Sequence, residues 1–102
     1  MASRLSLQNE LEELLGSKNV YFQPPTSVKM NYPAIVYYRS DIENTFANNL
    51  VYKQDLAYSI TVIYCDPDSD LPIKVSSAFP SIRFDRNYVS DNLYHDVFTL
   101  FY

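Results

Sequence analysis

A chain of 102 residues with a formal charge of −4 has room for one compact domain and little more. Its hydrophobic share of 47% and charged share of 20% are those of a globular protein, which argues against disorder over most of its length. Twelve acidic against eight basic side chains argue against a protein that grips nucleic-acid phosphates, and a single glycine excludes the glycine-rich loops that cradle nucleotides.

The pattern opens with a helix. Leu7, Leu11, Leu14 and Leu15 fall at i, i+4, i+7 and i+8, an apolar stripe, with Glu10, Glu12 and Glu13 on the other face. Ser3 or Ser6 can cap its start, and Gly16 stands where a left-handed residue closes a helix. This acidic, amphipathic beginning does not read as a signal peptide. Asn19 to Gln23 is a short extended piece that Pro24-Pro25 ends, and 24–31 is a polar, proline-bearing loop. Pro33 then leads into Ala34-Ile35-Val36-Tyr37-Tyr38, rich in β-formers and read as a strand.

Between Arg39 and Asn49 the periodicity is lost while Asp, Asn, Ser and Thr accumulate. The segment 39–50 therefore reads as a polar connection or arm between two strands. Ile42 and Phe46, spaced by four, give it two apolar anchors suited to docking on a neighbouring subunit. Strand signal returns at Val51 and peaks from Tyr58 to Cys65. Tyr58, Ile60, Val62 and Tyr64 alternate with the mixed set Ser59, Thr61, Ile63 and Cys65, so one face is core and the other only partly covered. The uncharged run from Leu56 to Cys65 is too short to span a membrane.

Asp66 to Pro72 is a turn into a second helix. Ser69 or Asp68 can cap it, Asp70 suits its positive end, and Pro72 is tolerated in the first turn. Leu71, Val75, Ala78 and Phe79 supply the apolar face, and Pro80 stops it. Two strands follow, Ser81 to Val89 and Leu93 to Tyr102, joined through Ser90-Asp91-Asn92. The order α-β-β-β-α-β-β predicts an α+β fold over a single domain, 1–102. Its mainly antiparallel sheet has two helices packed on one face.

Candidate chemistry is sparse. Asp66, Asp68 and Asp70 match the first positions of a calcium loop, but Leu71 stands where that loop needs glycine and Ser77 where it needs glutamate. A capped turn explains them better. Cys65 and His95 are the one imaginable nucleophile pair, yet a thiol ending an apolar strand is usually buried and inert. With one cysteine and one histidine there is neither an internal disulfide nor a zinc set. Arg83 and Arg86 suit contact with phosphate or an acidic partner, a salt bridge between subunits, or cross-strand pairing with Asp96 or Asp55, the last favoured over DNA contact. Ten tyrosines exceed what so small a core buries comfortably, so some are expected in contacts between subunits. Without interleaved basic residues they do not form a stacking platform for single strands. No catalytic, metal or cofactor site is expected, and the chain does not read as an enzyme.

Several stretches together resemble a known family. The leucine-rich first helix precedes Tyr32-Pro33-Ala34-Ile35-Val36-Tyr37-Tyr38, then a loop holding Asn48-Asn49, then Ile60-Thr61-Val62-Ile63-Tyr64. Asp66-Pro67-Asp68-Ser69 opens the short helix. The ending is Phe84-Asp85-Arg86-Asn87-Tyr88 and Asp91-Asn92-Leu93-Tyr94-His95-Asp96-Val97-Phe98. The sequence resembles the tail terminator, or tail completion, proteins of long-tailed bacteriophages, over nearly the whole chain and chiefly in the order and spacing of elements. The resemblance implies a structural virion protein assembled in the host cytoplasm. It would form a hexameric ring on the last ring of a tail tube, stop tube growth and offer the surface that docks to the head connector. Its partners would be its own copies, the tube protein and the connector protein, with DNA passing through the lumen as cargo. A head-closure component of the neck is the nearest alternative, and a module that binds a protein by strand addition at a sheet edge is another. On this reading Asp41, Ile42, Phe46, Asn48, Asn49, Arg83 and Arg86 are the candidate subunit-interface residues.

Overall fold

The computed structural model describes residues 4–25, 29–47 and 50–102, with backbone alone over 41–47 and 50–55. Its elements are α1 (Arg4–Leu15), β1 (Val20–Phe22), β2 (Ala34–Ala47), β3 (Leu50–Tyr64), α2 (Leu71–Ala78), β4 (Ile82–Ser90) and β5 (Leu93–Phe101). The order is the expected α-β-β-β-α-β-β, an α+β fold with a mostly antiparallel sheet. The five strands lie in the order β1-β2-β3-β5-β4, and only the β1–β2 pairing is parallel.

Both helices use their apolar stripes on one face of this sheet. Leu7 and Leu11 of α1 and Leu71 and Val75 of α2 are buried there with Ile35, Tyr37, Tyr58, Ile60, Val62, Phe98 and Leu100. Leu14 and Leu15 pack at the margin of this core, Phe79 joins it after the second helix ends, and Ala78 stays exposed. The alternation of β3 is as expected, with Ile63 on the other face buried, Ser59 and Thr61 half-buried and Cys65 exposed. The exposed thiol corrects the expectation of a buried one, because the apolar run ends at Tyr64 and Cys65 has already entered the turn.

Polar contacts fix α1 to the sheet. The Tyr37 hydroxyl donates to Gln8 Oε1 at 2.5 Å and accepts from Arg4 Nη1 at 3.3 Å. Gln8 Nε2 in turn donates to the Val20 carbonyl at 3.0 Å, so one side chain ties the helix to β1 and β2 together. Gly16 has φ +79° and its N–H reaches the Glu12 carbonyl, the left-handed helix end that the sequence suggested.

The capping expectations fare differently at the two helices, with Ser69 acting as expected at α2 and Ser6 not capping α1. Ser6 lies inside α1, and Ser3 lies outside the described residues. At α2 the N-cap is Asp70, which makes no side-chain cap; Ser69 Oγ accepts from the Leu71 N–H at 3.3 Å instead. Asp66 Oδ1 accepts from the Asp68 N–H at 2.9 Å, and Asp70 meets Lys74 at 3.7 Å. Each aspartate thus has a local role in a turn or a helix start. Among the described residues no group of three His, Cys, Asp or Glu side chains could hold a metal. No described helix is long and apolar enough to cross a membrane.

The largest departure from expectation is 39–50. The segment is not an irregular connection: it continues β2 to Ala47, and β3 resumes at Leu50, in one hairpin whose strands run 14 and 15 residues. Thr45 and Phe46 are β-formers, and a two-stranded ribbon satisfies the backbone of polar residues as well as of apolar ones. The polar composition that reads as a loop is that of two strands paired with each other.

Candidate assembly surfaces

The hairpin outruns the sheet. β1 pairs with β2 only from Ile35 to Tyr37, and β5 reaches β3 only as far as Ala57, opposite Phe101. Beyond Leu56, whose carbonyl still accepts from the Tyr102 N–H at 3.1 Å, β2 and β3 pair with each other through Glu43↔Asp55, Thr45↔Lys53 and Ala47↔Leu50. A register shift at Ser40 falls where this ribbon leaves the sheet, the kind of bulge that bends a strand. A second shift lies between Thr45 and Phe46. The molecule is correspondingly elongated, 51 × 27 × 23 Å, and its radius of gyration of 14.7 Å exceeds the roughly 13 Å of a compact chain this size. Asp41, Ile42 and Phe46 belong to this arm, whereas their side chains, and Asn48 and Asn49 entirely, lie outside the described residues.

The second surface is β4. As an edge strand it pairs only with β5, and every residue after Ile82 is exposed. A bulge at Asp85, between Phe84↔Phe98 and Arg86↔Val97, sets which side chains share a face. Simple alternation would separate Arg83 from Arg86. The extra residue instead puts Arg83, level with Thr99, and Arg86, level with Val97, on the face away from the helices. The same shift turns Asn87 to the helix side, where its Nδ2 donates to Asp96 Oδ1.

Asp96 is the one buried charged group among the described residues, 5% exposed. Its other oxygen accepts from the Tyr64 hydroxyl at 2.7 Å, so both oxygens have donors, as a buried carboxylate requires. Burial and this bond to a carboxylate push the Tyr64 phenol up to about 12, and Tyr94 stacks on its ring at 5.5 Å. Asp96 is therefore occupied, and the expected pairing of Arg83 or Arg86 with it does not occur. Arg83 Nε instead donates to Asp85 Oδ1 at 3.1 Å within the same strand. Asp85 also accepts from Thr99 Oγ1 at 2.5 Å, and that bond, helped by Arg83 and Arg86, holds its carboxyl below the ordinary aspartate value. Arg86 forms no salt bridge among the described residues and lies 5.7 Å from the ring centroid of Tyr88.

The open face of the sheet carries a third feature. Val36, Tyr38, Ile63, His95 and Tyr88 line a groove of about 310 Å³, walled on one side by Pro24 and Pro25. Tyr88 stacks on His95 at 4.6 Å, and His95 Nδ1 lies 3.0 Å from the Leu93 carbonyl. No hydrogen bond joins His95 to Cys65 among the described residues. The imagined nucleophile pair thus has its imidazole engaged with an aromatic ring and a main-chain oxygen. Of the ten tyrosines, Tyr37, Tyr58 and Tyr64 are buried, while Tyr32, Tyr38 and Tyr88 are 43%, 44% and 40% exposed.

The sequence-selected residues thus fall into two groups in one subunit, the arm and the outer face of β4, with β5 standing between β3 and β4. Sequence reasoning missed the exposed aromatic and aliphatic residues Phe84 and Val89 on the helix side of β4, 54% and 61% exposed. Their signal was a strand-like run with no helix of sufficient length left to cover it. No protein-family model, no curated protein and no solved structure matches the chain.

Proposed function

We propose that this chain is a structural subunit of a ring that caps the head-proximal end of a phage tail tube. The ring ends tube growth and offers the surface to which a filled head docks. The observation that carries the reading is the overhanging β2–β3 hairpin, a ribbon that runs past the ends of β1 and β5 with its two strands paired to each other. A two-stranded ribbon is marginal in water by itself, so a neighbouring surface is its natural support. The bare β4 edge at the other side of the sheet provides a different surface, and a ring needs two unlike, complementary patches on each copy. The element order that resembles tail terminators supports the phage setting, and the net charge of −4 suits a channel that DNA passes without adhering.

A neck component that closes the head is the nearest relative of this reading, and a free-standing module that captures a peptide along β4 is the other. Deletion of the gene separates them. A terminator's loss leaves DNA-filled heads beside tail tubes of abnormal length, visible by negative stain. Loss of a head-closure protein leaves tails of normal length beside leaking heads. Normal tails joined to heads in the deletion strain would rule out the terminator reading.

A further inference from the structure

We propose that the free edge of β4 takes up an extended segment of a partner protein in which acidic and apolar residues alternate. Its acids lie over Arg83 and Arg86, and its apolar residues lie beside Phe84 and Val89. The inference rests on the ring reading, which makes β4 a covered surface, and deepens it by naming the chemistry of what covers it. Among the described residues β4 pairs with β5 on one side and with no strand on the other. The outward N–H and C=O groups along Ile82–Ser90 are therefore a template for a further strand.

The two faces of this edge differ in chemistry. On the face away from the helices, the bulge at Asp85 aligns Arg83, Arg86 and Tyr88, level with Thr99, Val97 and His95 of β5. The acid beside them, Asp85, is already engaged by Arg83 and Thr99. Arg86 is exposed, forms no salt bridge among the described residues, and lies against the Tyr88 ring. Its charge is left for another chain. The acids of α1 cannot neutralise this face, because that helix packs on the opposite side of the sheet. On the helix side Phe84 and Val89 are each more than half exposed, and Asn87 between them turns to Asp96. Successive side chains of an added strand point to opposite faces, so such a strand meets a cation on one face and apolar surface on the other. An acid opposite Arg86 makes an ion pair that the subunit itself leaves unmade, whereas a lysine there is repelled. A second β4 is a poor occupant, since it brings two more arginines and a second bulge to the same edge.

The test is titration of the isotope-labelled protein with a capped peptide of alternating Glu and Val about as long as β4, followed by amide NMR and hydrogen exchange. The expected result is shifted resonances and slowed exchange along 82–90, weakened by added salt. A Lys–Val peptide should bind about tenfold more weakly, and so should a Glu–Ser peptide that lacks the apolar face. Arg86→Glu, checked for native circular dichroism, should lose about tenfold in affinity for the Glu–Val peptide and prefer the Lys–Val one. Perturbation absent from 82–90, equal binding of the Glu–Val and Lys–Val peptides, or an Arg86→Glu variant with unchanged preference overturns the proposal. None of these measurements needs phage material. A β4 that ignores the peptide beside abnormal tails in the deletion strain leaves the ring cap standing, and a β4 that binds it beside normal tails removes the phage setting while keeping the site.

Discussion

Tyr37 on β2 and Phe84 on β4 are both aromatic residues on the helix side of one sheet, yet Tyr37 is fully buried and Phe84 is 54% exposed. What differs is the layer above them. Over β2 lies the 12-residue α1, whose Leu7 and Leu11 fill the core and whose Gln8 and Arg4 bond the Tyr37 hydroxyl. On the other side α2 has only 8 residues, about 12 Å of helix, and buries Leu71 and Val75 without covering β4. Phe84 therefore has one aromatic neighbour, Phe98 at 5.5 Å, and solvent on its remaining sides. β2 and β3 also change along their length, from core strands to a two-stranded ribbon that runs past β1 and β5. One region is closed by its own helices, and on the reading proposed above the other is closed by a neighbouring copy.

The sharpest way to break that contrast is to cut into the closed half. Leu11→Ala removes a fully buried side chain beneath α1 and should lower the unfolding free energy of the free protein by about 2–5 kcal/mol, read by urea denaturation. A loss below about 1 kcal/mol would mean that α1 is not the cover described here.

Next in size is the buried carboxylate. Tyr64→Phe leaves Asp96 with Asn87 alone and should be destabilising by about 1–3 kcal/mol, with the Tm of a Phe84→Ala control for comparison. The wild-type phenol adds a pH signature. Its folded value of about 12 lies above the ordinary 10, so the fold favours the protonated form. That contribution is complete below the unfolded value and declines as pH rises from the ordinary tyrosine range toward the folded one. Burial also raises Tyr37 and Tyr102, so ultraviolet titration of phenolate should show several late-ionising tyrosines, with one fewer in Tyr64→Phe. An unchanged late-ionising amplitude in the variant would show that Tyr64 is not among them.

On the bare half the effects shrink. Phe84→Ala should lower the stability of the free protein by about 1 kcal/mol, the worth of an edge-to-face pair with little burial. A loss as large as that for Leu11→Ala would show that β4 belongs to the closed core. Smallest is Cys65→Ala, expected within about 0.5 kcal/mol of wild type, since the thiol is exposed. A thiol reagent should label Cys65 in the native protein without prior unfolding, and protection from it would contradict the exposed placement.

Much of this division was readable from residue spacing. The stripes of Leu7 and Leu11 and of Leu71, Val75 and Phe79, and the alternation of Tyr58, Ile60 and Val62, identified the closed half because burial imposes a period on apolar residues. The arm was misread as a loop for the converse reason. Polar and apolar residues mix along 41–55 without a period of two, and hydrogen bonding within the ribbon does not discriminate among side chains. The bulges were invisible as well. One extra residue at Asp85 places Arg86 beside Arg83 and sends Asn87 to Asp96, and no composition signal distinguishes that from simple alternation. The pairing of Arg83 or Arg86 with Asp96 was misread, because Asp96 faces the helices and the two arginines face away.

The central claim is that the hairpin stem and the β4 edge are the surfaces this protein leaves for other subunits to cover. Hydrogen exchange of the free protein beside the assembled form tests it most directly. The account predicts that amides of 41–47, 50–55 and 82–90 exchange fast when free and slow by about tenfold or more on assembly, while those of α1 and central β5 are slow in both. Protection that appears on the outer faces of α1 and α2, with the hairpin and β4 unchanged, would contradict it.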